Sequence, residues 1–482
     1  MDRALRMPGF SGPSYVASSS IAADQRCMNL YVDEIQAPGE KARAVLMNVP
    51  GLETWQDLGV GPVRALFQQD GRAFAIAGTT FYELFSDASN LNRGTVAVSN
   101  EQASICSNGR AGLQLLIVTA GKGYTFTLST NTFAQIADVD FPANARVGAY
   151  LDGYGLVLDT GGRFFISTLN DFTGWAAADV AARSRASDLW EMLVVQPPLV
   201  WLFGNLTTEI WYNNGNATFP FGAVQGVFVD EGIAVPYSVA SIGGTLLWLS
   251  ANRAGDRQVV SAPNYTPTVL STPAVARAIQ SYGTISDAVG YSYEEAGHLF
   301  YVLTFPTAKA TWAYDMTTKQ WHERGTWNAN DGAYEAHPGR CHCLAFGQQL
   351  LGSRNDGKIY RQSLSLYDFA GSTRRWLRRP PHVADELVQL FHNELTLDVE
   401  VGVGLTSGQG IDPQIMMRFS DDGGKTYGNE HWAPMGKQGD YRARVTWDRL
   451  GSARDRVYEF SGSDPVQTAL IDAHLDIRKG RH

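Results

Sequence analysis

Cysteine is scarce in this chain, 4 in 482 residues, too few and too irregularly spaced for a disulfide framework. Long apolar runs are missing as well. No stretch approaches the roughly eighteen uninterrupted apolar residues of a membrane helix, and the opening MDRALRMPGF lacks an apolar core of signal-peptide length. A chain assembled in a cytoplasm, with no integral membrane segment, is expected. Positive charge is in deficit, 39 Lys and Arg against 48 Asp and Glu, for a net −9. That balance argues against sequence-reading DNA binding, where Lys and Arg neutralise phosphate, although an acidic wall would let a duplex slide past. Catalytic signatures are absent too. There is no Gly-rich phosphate cradle between strand and helix, no His-Glu-x-x-His and no full calcium-loop spacing, and the 9 histidines are scattered. No catalytic residue, metal or cofactor is nominated. Cys341-His342-Cys343 looks metal-like, but on a strand the two thiols share one face and the imidazole takes the other. The sequons at Asn205, Asn216 and Asn264 mean little in a cytoplasmic chain.

What the chain has in quantity is glycine, 49 residues, with 11% aromatic and 44% hydrophobic residues. Runs of Val, Leu, Tyr and Trp alternate with Gly, Asn and Asp, an all-β composition. Between Val63 and Leu366 one phrase recurs: an apolar strand, a tight Gly, Asp or Asn turn, a second apolar strand, then a more polar one. It begins at Val63, Ile105, Val147, Trp190, Tyr237, Val289 and Cys343. A spacing of about 40 to 55 residues is that of four-stranded propeller blades, so a β-propeller of about seven blades is expected. A run of independent β-sandwich meanders would give a similar rhythm. Asn-Gly and Asp-Gly steps at Asn108, Asp152, Asn214, Asp331 and Asp356 read as hairpin turns. The stretch 271–280, opening Ser-Thr-Pro, reads as one short helix.

The rhythm ends at 373–381, Thr-Arg-Arg-Trp-Leu-Arg-Arg-Pro-Pro, and strands are expected beyond it at 395–401, 414–420, 442–450, 456–461 and 469–477. N-terminal strands near 29–34 and 44–48 are too few to stand alone. The expected division is therefore 1–55, an N-terminal segment packed on the C-terminal domain; 56–375, the propeller; and 376–482, a C-terminal β domain. The two chain ends would together form a smaller β-sandwich-like platform.

Three constellations carry the functional reading. Ser420, Asp422, Gly424, Thr426 and Tyr427 fit Ser-x-Asp-x-Gly-x-Thr-aromatic, which resembles the Asp-box hairpin of sialidase-type propellers, a folding element whose Asp satisfies turn donors. A glycosidase would need several boxes, an arginine triad and a tyrosine nucleophile; this chain has one box, outside the repeats. Arg442, Arg444, Arg449, Arg454 and Arg456, interleaved with Asp440, Asp448 and Asp455, suit either a self-complementary subunit seam or a solvated face. Arg374, Arg375, Arg378 and Arg379 form a second basic run. Both runs are candidate contacts with another subunit or an adaptor.

Residues 417–457, together with Phe10-Ser-Gly-Pro-Ser-Tyr15, Ala23-Asp-Gln-Arg-Cys-Met-Asn-Leu-Tyr31 and Leu46-Met-Asn-Val-Pro-Gly-Leu-Glu-Thr-Trp55, resemble the tail accessory factors of short-tailed podovirus phages, also called packaged-DNA stabilisation proteins. The resemblance implies a non-enzymatic virion tail component: a homo-oligomeric ring, six-fold, serving as a hub or nozzle below the portal and its adaptor ring. Its neighbours would be a tail needle or plug and tailspikes or fibres, with double-stranded DNA as a passenger that is not read for sequence. Such a ring would carry a net charge of about −54. The rival is a carbohydrate-binding or glycoside-hydrolase-like propeller, which would cluster indoles such as Trp175, Trp201 or Trp211 with carboxylates in an open pocket.

Overall fold

The computed structural model describes residues 5–35, 37, 43–183, 185–251 and 254–480. Seven antiparallel meanders follow one another, and their innermost strands are Val63–Gln69, Ser104–Ser107, Ala145–Leu151, Trp190–Gln196, Ala240–Ile242, Val289–Glu295 and Gly339–Ala345. Each touches the next, the fourth and fifth through the short helix Pro236–Ser238, and the last returns to the first. The result is a closed β-propeller. Each recurring phrase in the sequence falls on or beside one of these inner strands.

The second strand of a blade explains why the phrase is so apolar. Ala73 through Ala77 in Arg72–Ala77 are fully buried, as are Leu115 to Val118 and Val200, Leu202 and Phe203 in the corresponding strands. A strand with neighbouring blades against both faces loses the alternation of a half-exposed sheet and reads as a continuous hydrophobic run. Toward the rim the strands become exposed, as in Thr132–Gln135. Asp152 and Gly153, at φ 50° and 92°, link Ala145–Leu151 to Tyr154–Asp159 in the two-residue turn that Asp-Gly favours. Asn108-Gly109 behaves otherwise: it opens a single helical turn, Gly109–Gly112, instead of a hairpin. The expected helix is Pro273–Ser281, capped by the Thr272 hydroxyl accepting from Val275 N–H at 3.3 Å.

The circle closes with a strand from the other end of the chain. Gly51–Asp57 pairs antiparallel with Lys358–Ser363 and completes the last blade; a division at residue 56 would cut this strand. The sixth blade does the reverse and runs outward. Its last strand, Gln320–Glu323, meets Asp24–Met28, which pairs with Trp376–Arg379, then Asp455–Gly462, Gln414–Ser420 and His431–Pro434. A second sheet, Leu30–Glu34, Ala44–Asn48, Ala469–Lys479, Leu390–Val399 and Val445–Asp448, faces it. Leu30, Leu46, Trp376, Leu395, Ile415, Met417, Phe460 and Leu475 fill the space between as one core. Both chain ends thus contribute strands to one two-sheet sandwich, and one hydrogen-bonded sheet crosses from propeller to sandwich.

Candidate assembly surface

The basic run 374–379 lies on the strand Trp376–Arg379, where alternate residues take opposite faces. Trp376 points into the sandwich core, so Arg378 points that way too and is fully buried. Its guanidinium donates to the carbonyls of Phe10 at 2.6 Å, Gly9 at 2.7 Å and Gly12 at 3.0 Å. With no carboxylate to offset it, desolvation holds Arg378 down at about 10. Arg374, 2% exposed, donates to the carbonyls of Val49 at 2.7 Å and Leu366 at 3.0 Å. The expectation that this run faces another subunit is therefore corrected for Arg374 and Arg378. Arg378 is wrapped by the Phe10-Ser-Gly-Pro turn of its own N-terminal segment, and Arg374 by the carbonyls of Val49 and Leu366.

Arg375 and Arg379 lie at the seam between propeller and sandwich. Arg375 pairs with Glu430 at 2.7 Å and lies 4.6 Å from the Trp327 ring. Arg379 pairs with Asp24 and with buried Glu459, which also accepts from Arg418 at 2.6 Å. Arg375, Arg379, Arg418 and Glu459 line a cleft of about 380 Å3 with Arg26 and Glu323, themselves paired at 2.5 Å. The residues of this charged seam other than Arg375 and Arg379 escaped the sequence reading, because Asp24, Glu323 and Glu459 are hundreds of residues apart and share no local spacing.

The Asp-box hairpin abuts that seam. Asp422 accepts from Lys425 N–H at 3.0 Å, Thr426 N–H at 2.9 Å, the Thr426 hydroxyl at 2.6 Å and the Ser420 hydroxyl at 2.6 Å. The Ser420 and Thr426 hydroxyl bonds, helped by backbone N–H donors, hold its carboxyl well below the usual carboxylate range. Gly424 sits at φ +86°, and a Cβ there would come within 2.6 Å of Asp24 Oδ2, so only glycine fits. Tyr427 lies 4.8 Å from each of the Arg379 and Arg418 guanidiniums. Buried Arg456 braces the turn through a bidentate pair with Asp421 at 2.6 and 2.7 Å, stacked 4.0 Å from Phe419. Arg456, too, is an internal brace and no contact residue. These bonds hold residues 420–427 as a closed turn.

Four arginines remain outward. Arg442, Arg444, Arg449 and Arg454 are exposed, and no ion pair holds any of them within the described chain. The expected strand over 442–450 is shorter, Val445–Asp448, which leaves Arg442 and Arg444 in the preceding turn instead of alternating on a strand. That strand is the free edge of its sheet, and His431–Pro434 is the free edge of the facing one. Trp432, 59% exposed, lies on the second of these edge strands, and a hollow of about 420 Å3 beside it is lined by His431, Trp447 and Arg449. Tyr441, 77% exposed, packs by Gly402, at the other end of Val445–Asp448 from Arg449. The sequence reading missed Trp432 and Tyr441; the signal was Tyr441 directly before Arg-Ala-Arg, an aromatic beside unpaired cations.

The indoles of the glycan-binding rival lie elsewhere. Trp175 and Trp201 are 5% and 4% exposed, inside blade cores, and Trp211 packs edge-on against Trp190 at 5.5 Å and donates to Glu209 at 3.0 Å. Cys341 is buried with Cys343 in one apolar cluster while His342 binds Gln349 at 2.6 Å, and among the described residues no group of three His, Cys, Asp or Glu could hold a metal. No helix among the described residues is long and apolar enough to cross a membrane.

A closed propeller whose one blade extends into a two-sheet sandwich, braced by buried arginines and an Asp-box turn, defines a structural β-propeller protein with a sandwich appendage. The class acquires a family on comparison with known sequences. Residues 18–365 match the profile described as bacteriophage P22 Gp10, β-propeller, and residues 375–478 match the one described as bacteriophage P22 Gp10, β-sandwich. The chain belongs to this family of packaged-DNA stabilisation proteins, and is a structural component of a phage virion tail. No curated protein matches the chain. Similar solved structures include the WD40 propeller domain of Doa1, at 13% identity, 65% of this chain, 97% of that one and a TM-score of 0.40. The N-terminal domain of Nup159 has 10% identity, covers 71% and 99%, and has a TM-score of 0.41. The computationally designed Ika8 protein has 10% identity, covers 64% and 99%, and has a TM-score of 0.40.

Proposed function

We propose that this chain is one subunit of a six-fold ring, a hub or nozzle that extends the DNA exit channel below the portal adaptor, retains packaged DNA and conducts it on ejection. The observation that carries the reading is the free edge of the sandwich. Exposed Trp432 lies on the edge strand His431–Pro434, exposed Tyr441, Arg442 and Arg444 precede the edge strand Val445–Asp448, and exposed Arg449 and Arg454 follow it, the four arginines making no ion pair among the described residues. Trp, Tyr and Arg are the residues that dominate protein interfaces energetically, and unpaired guanidiniums steer an acidic partner into register. The continuous sheet from propeller to sandwich supports a mechanical role, because force applied at the sandwich reaches the propeller through hydrogen-bonded strands without a flexible linker. In this arrangement the arginine end meets the adaptor ring or the next subunit, and the remaining faces meet the needle or plug and the tailspikes or fibres. DNA passes without sequence readout, and assembly takes place in the host cytoplasm.

Electron cryomicroscopy of the chain alone, and of the chain with the adaptor ring from the same genome, tests this. A closed ring with a lumen wide enough for duplex DNA is the expected result. A chain that stays monomeric in both samples would overturn it.

A further inference from the structure

At the propeller axis, where the inner strands begin, the blades enclose a cavity of about 570 Å3. Its wall is apolar at Pro62, Val235 and Pro236, cationic at Arg146, Arg340 and Arg354, and acidic at Glu101 and Asp287; Arg146 is already paired with Glu191. Arg340 is 9% exposed and makes a single hydrogen bond, from Nη2 to the Asn100 carbonyl at 2.6 Å; its other N–H groups have no partner in the described chain. Arg354 donates Nε and Nη2 to the carbonyls of His337 and Ala336, each at 3.0 Å, and leaves Nη1 free. Beside them fully buried Arg64 is held by the carbonyls of Glu101 and Gly78 and the Thr119 hydroxyl, again without a carboxylate. None of the three makes an ion pair among the described residues; Glu101 stands near Arg64 and Arg340 and Asp287 near Arg354, yet Arg340 and Arg354 keep N–H donors unused, which favours an added acceptor.

The same cavity holds idle acceptors. Asp287 Oδ2 accepts from Thr307 N–H at 2.7 Å, while its Oδ1, and Oε1 of Gln102, are buried without a donor. An inorganic anion would occupy a small part of this volume and would face the Asp287 carboxylate. A peptide answers more of these features than an ion: a carboxylate side chain for Arg340 and Arg354, backbone N–H groups that would separate it from the Asp287 and Glu101 carboxylates and reach Gln102, and apolar neighbours for the proline wall.

We propose that the mouth of the propeller is a binding site for a peptide segment that presents a carboxylate between apolar residues. The site is independent of the ring-forming surface on the sandwich. The test is calorimetric titration of the full chain with a panel of terminally blocked five-residue peptides carrying one central Glu or Asp among apolar residues, alongside their Gln or Asn counterparts and inorganic phosphate. At least one acidic peptide should bind, its neutral counterpart at least tenfold more weakly. Arg354→Gln should weaken the acidic peptide at least tenfold while the chain stays folded by circular dichroism at the titration temperature, and Arg354→Lys, which keeps the charge without the fork, should fall between. Arg340 is the more buried of the two, so Arg354 carries the test should Arg340→Gln fail to fold. Equal binding of acidic and neutral peptides, binding by phosphate alone, binding indifferent to Arg354, or no binding across the panel would each overturn the assignment.

Discussion

Asn29 and Gly325 hold each other reciprocally: Asn29 Nδ2 donates to the Gly325 carbonyl at 2.8 Å, and the Gly325 amide donates to Asn29 Oδ1 at 3.0 Å. The same Nδ2 reaches the Arg375 carbonyl at 2.8 Å. One side chain therefore ties the N-terminal segment to the end of the sixth blade and to the first strand of the sandwich beyond the propeller. The position is fully buried and sits at φ 55°, where Asn is better tolerated than other non-glycine residues. Asn29→Ala should cost about 2 to 4 kcal/mol, from unsatisfied buried groups plus backbone strain. Because the lost bonds straddle two units, calorimetry should split one unfolding transition into two; a single, undisplaced transition would count against this role.

Arg378 makes a second prediction about the same segment. Replacing it by Met keeps much of the apolar stem but strands the carbonyls of Gly9, Phe10 and Gly12 away from water. A loss of about 3 to 5 kcal/mol is expected. Hydrogen exchange should accelerate first in residues 7–16, and Arg378→Lys should recover only part of the loss, since an ammonium cannot span the carbonyls that the planar fork reaches.

Stability should decline on mild acidification. Burial holds His337 at about 3, and His342 and His392 at about 4, below the ordinary 6.5. These rings stay neutral in the folded chain while the unfolded chain takes up protons, so stability is full above 6.5 and falls as pH drops from there toward the folded values. By pH 5 the penalty is about 2 kcal/mol for each of His337 and His342. His298 works in the opposite sense: its hydrogen bond to Asp315 at 2.6 Å raises it, so its contribution is full below 6.5 and is lost as pH rises through its folded value. Thermal melts from pH 8 to pH 4 should show a net drop below 6.5, shallower in His337→Gln.

The Asp422 turn responds lower on the pH scale. Its carboxyl is depressed, so its contribution is present above the ordinary Asp range near 4 and is lost as pH falls through the folded value. At pH 7, Asp422→Ala should raise amide exchange at Lys425 and Thr426 while leaving the blades untouched. Unchanged protection at those two amides would remove the turn role.

The propeller was legible because each blade repeats the same buried second strand, and a local pattern repeated seven times survives irregular spacing. The sandwich strands were legible locally too: Leu390–Val399 alternates, and Asp455–Gly462 centres on a short, largely apolar run buried on both faces. What sequence could not reveal is pairing at a distance. Nothing near Gly51–Asp57 announces that it completes a blade begun at Gly339, and nothing near Arg378 announces that its partners are the carbonyls of residues 9 to 12. Arginine clusters are ambiguous for this reason, since the same fork that binds a partner's carboxylate also binds the chain's own backbone. Strand alternation separates the cases only once the facing element is known: Arg378 shares the face of Trp376, whereas Arg442 and Arg444 precede their strand and turn outward.

That separation gives the assembly prediction its control. Arg442→Glu with Arg444→Glu changes exposed residues that make no ion pair, so the melting temperature should move little, within about 0.5 kcal/mol of stability. If the free end of the sandwich meets an acidic partner, reversing two charges converts attraction into repulsion and should abolish ring closure or docking on the adaptor, with the effect partly relieved at high salt. Trp432→Ala should weaken assembly through lost contact area and without salt dependence. Arg456→Glu, by contrast, should unfold the Asp-box end of the sandwich, because Arg456 is buried against Asp421. Sedimentation of the three variants with and without the adaptor ring distinguishes them: a folded double reversal that assembles like the parent would exclude the arginine end as the contact surface.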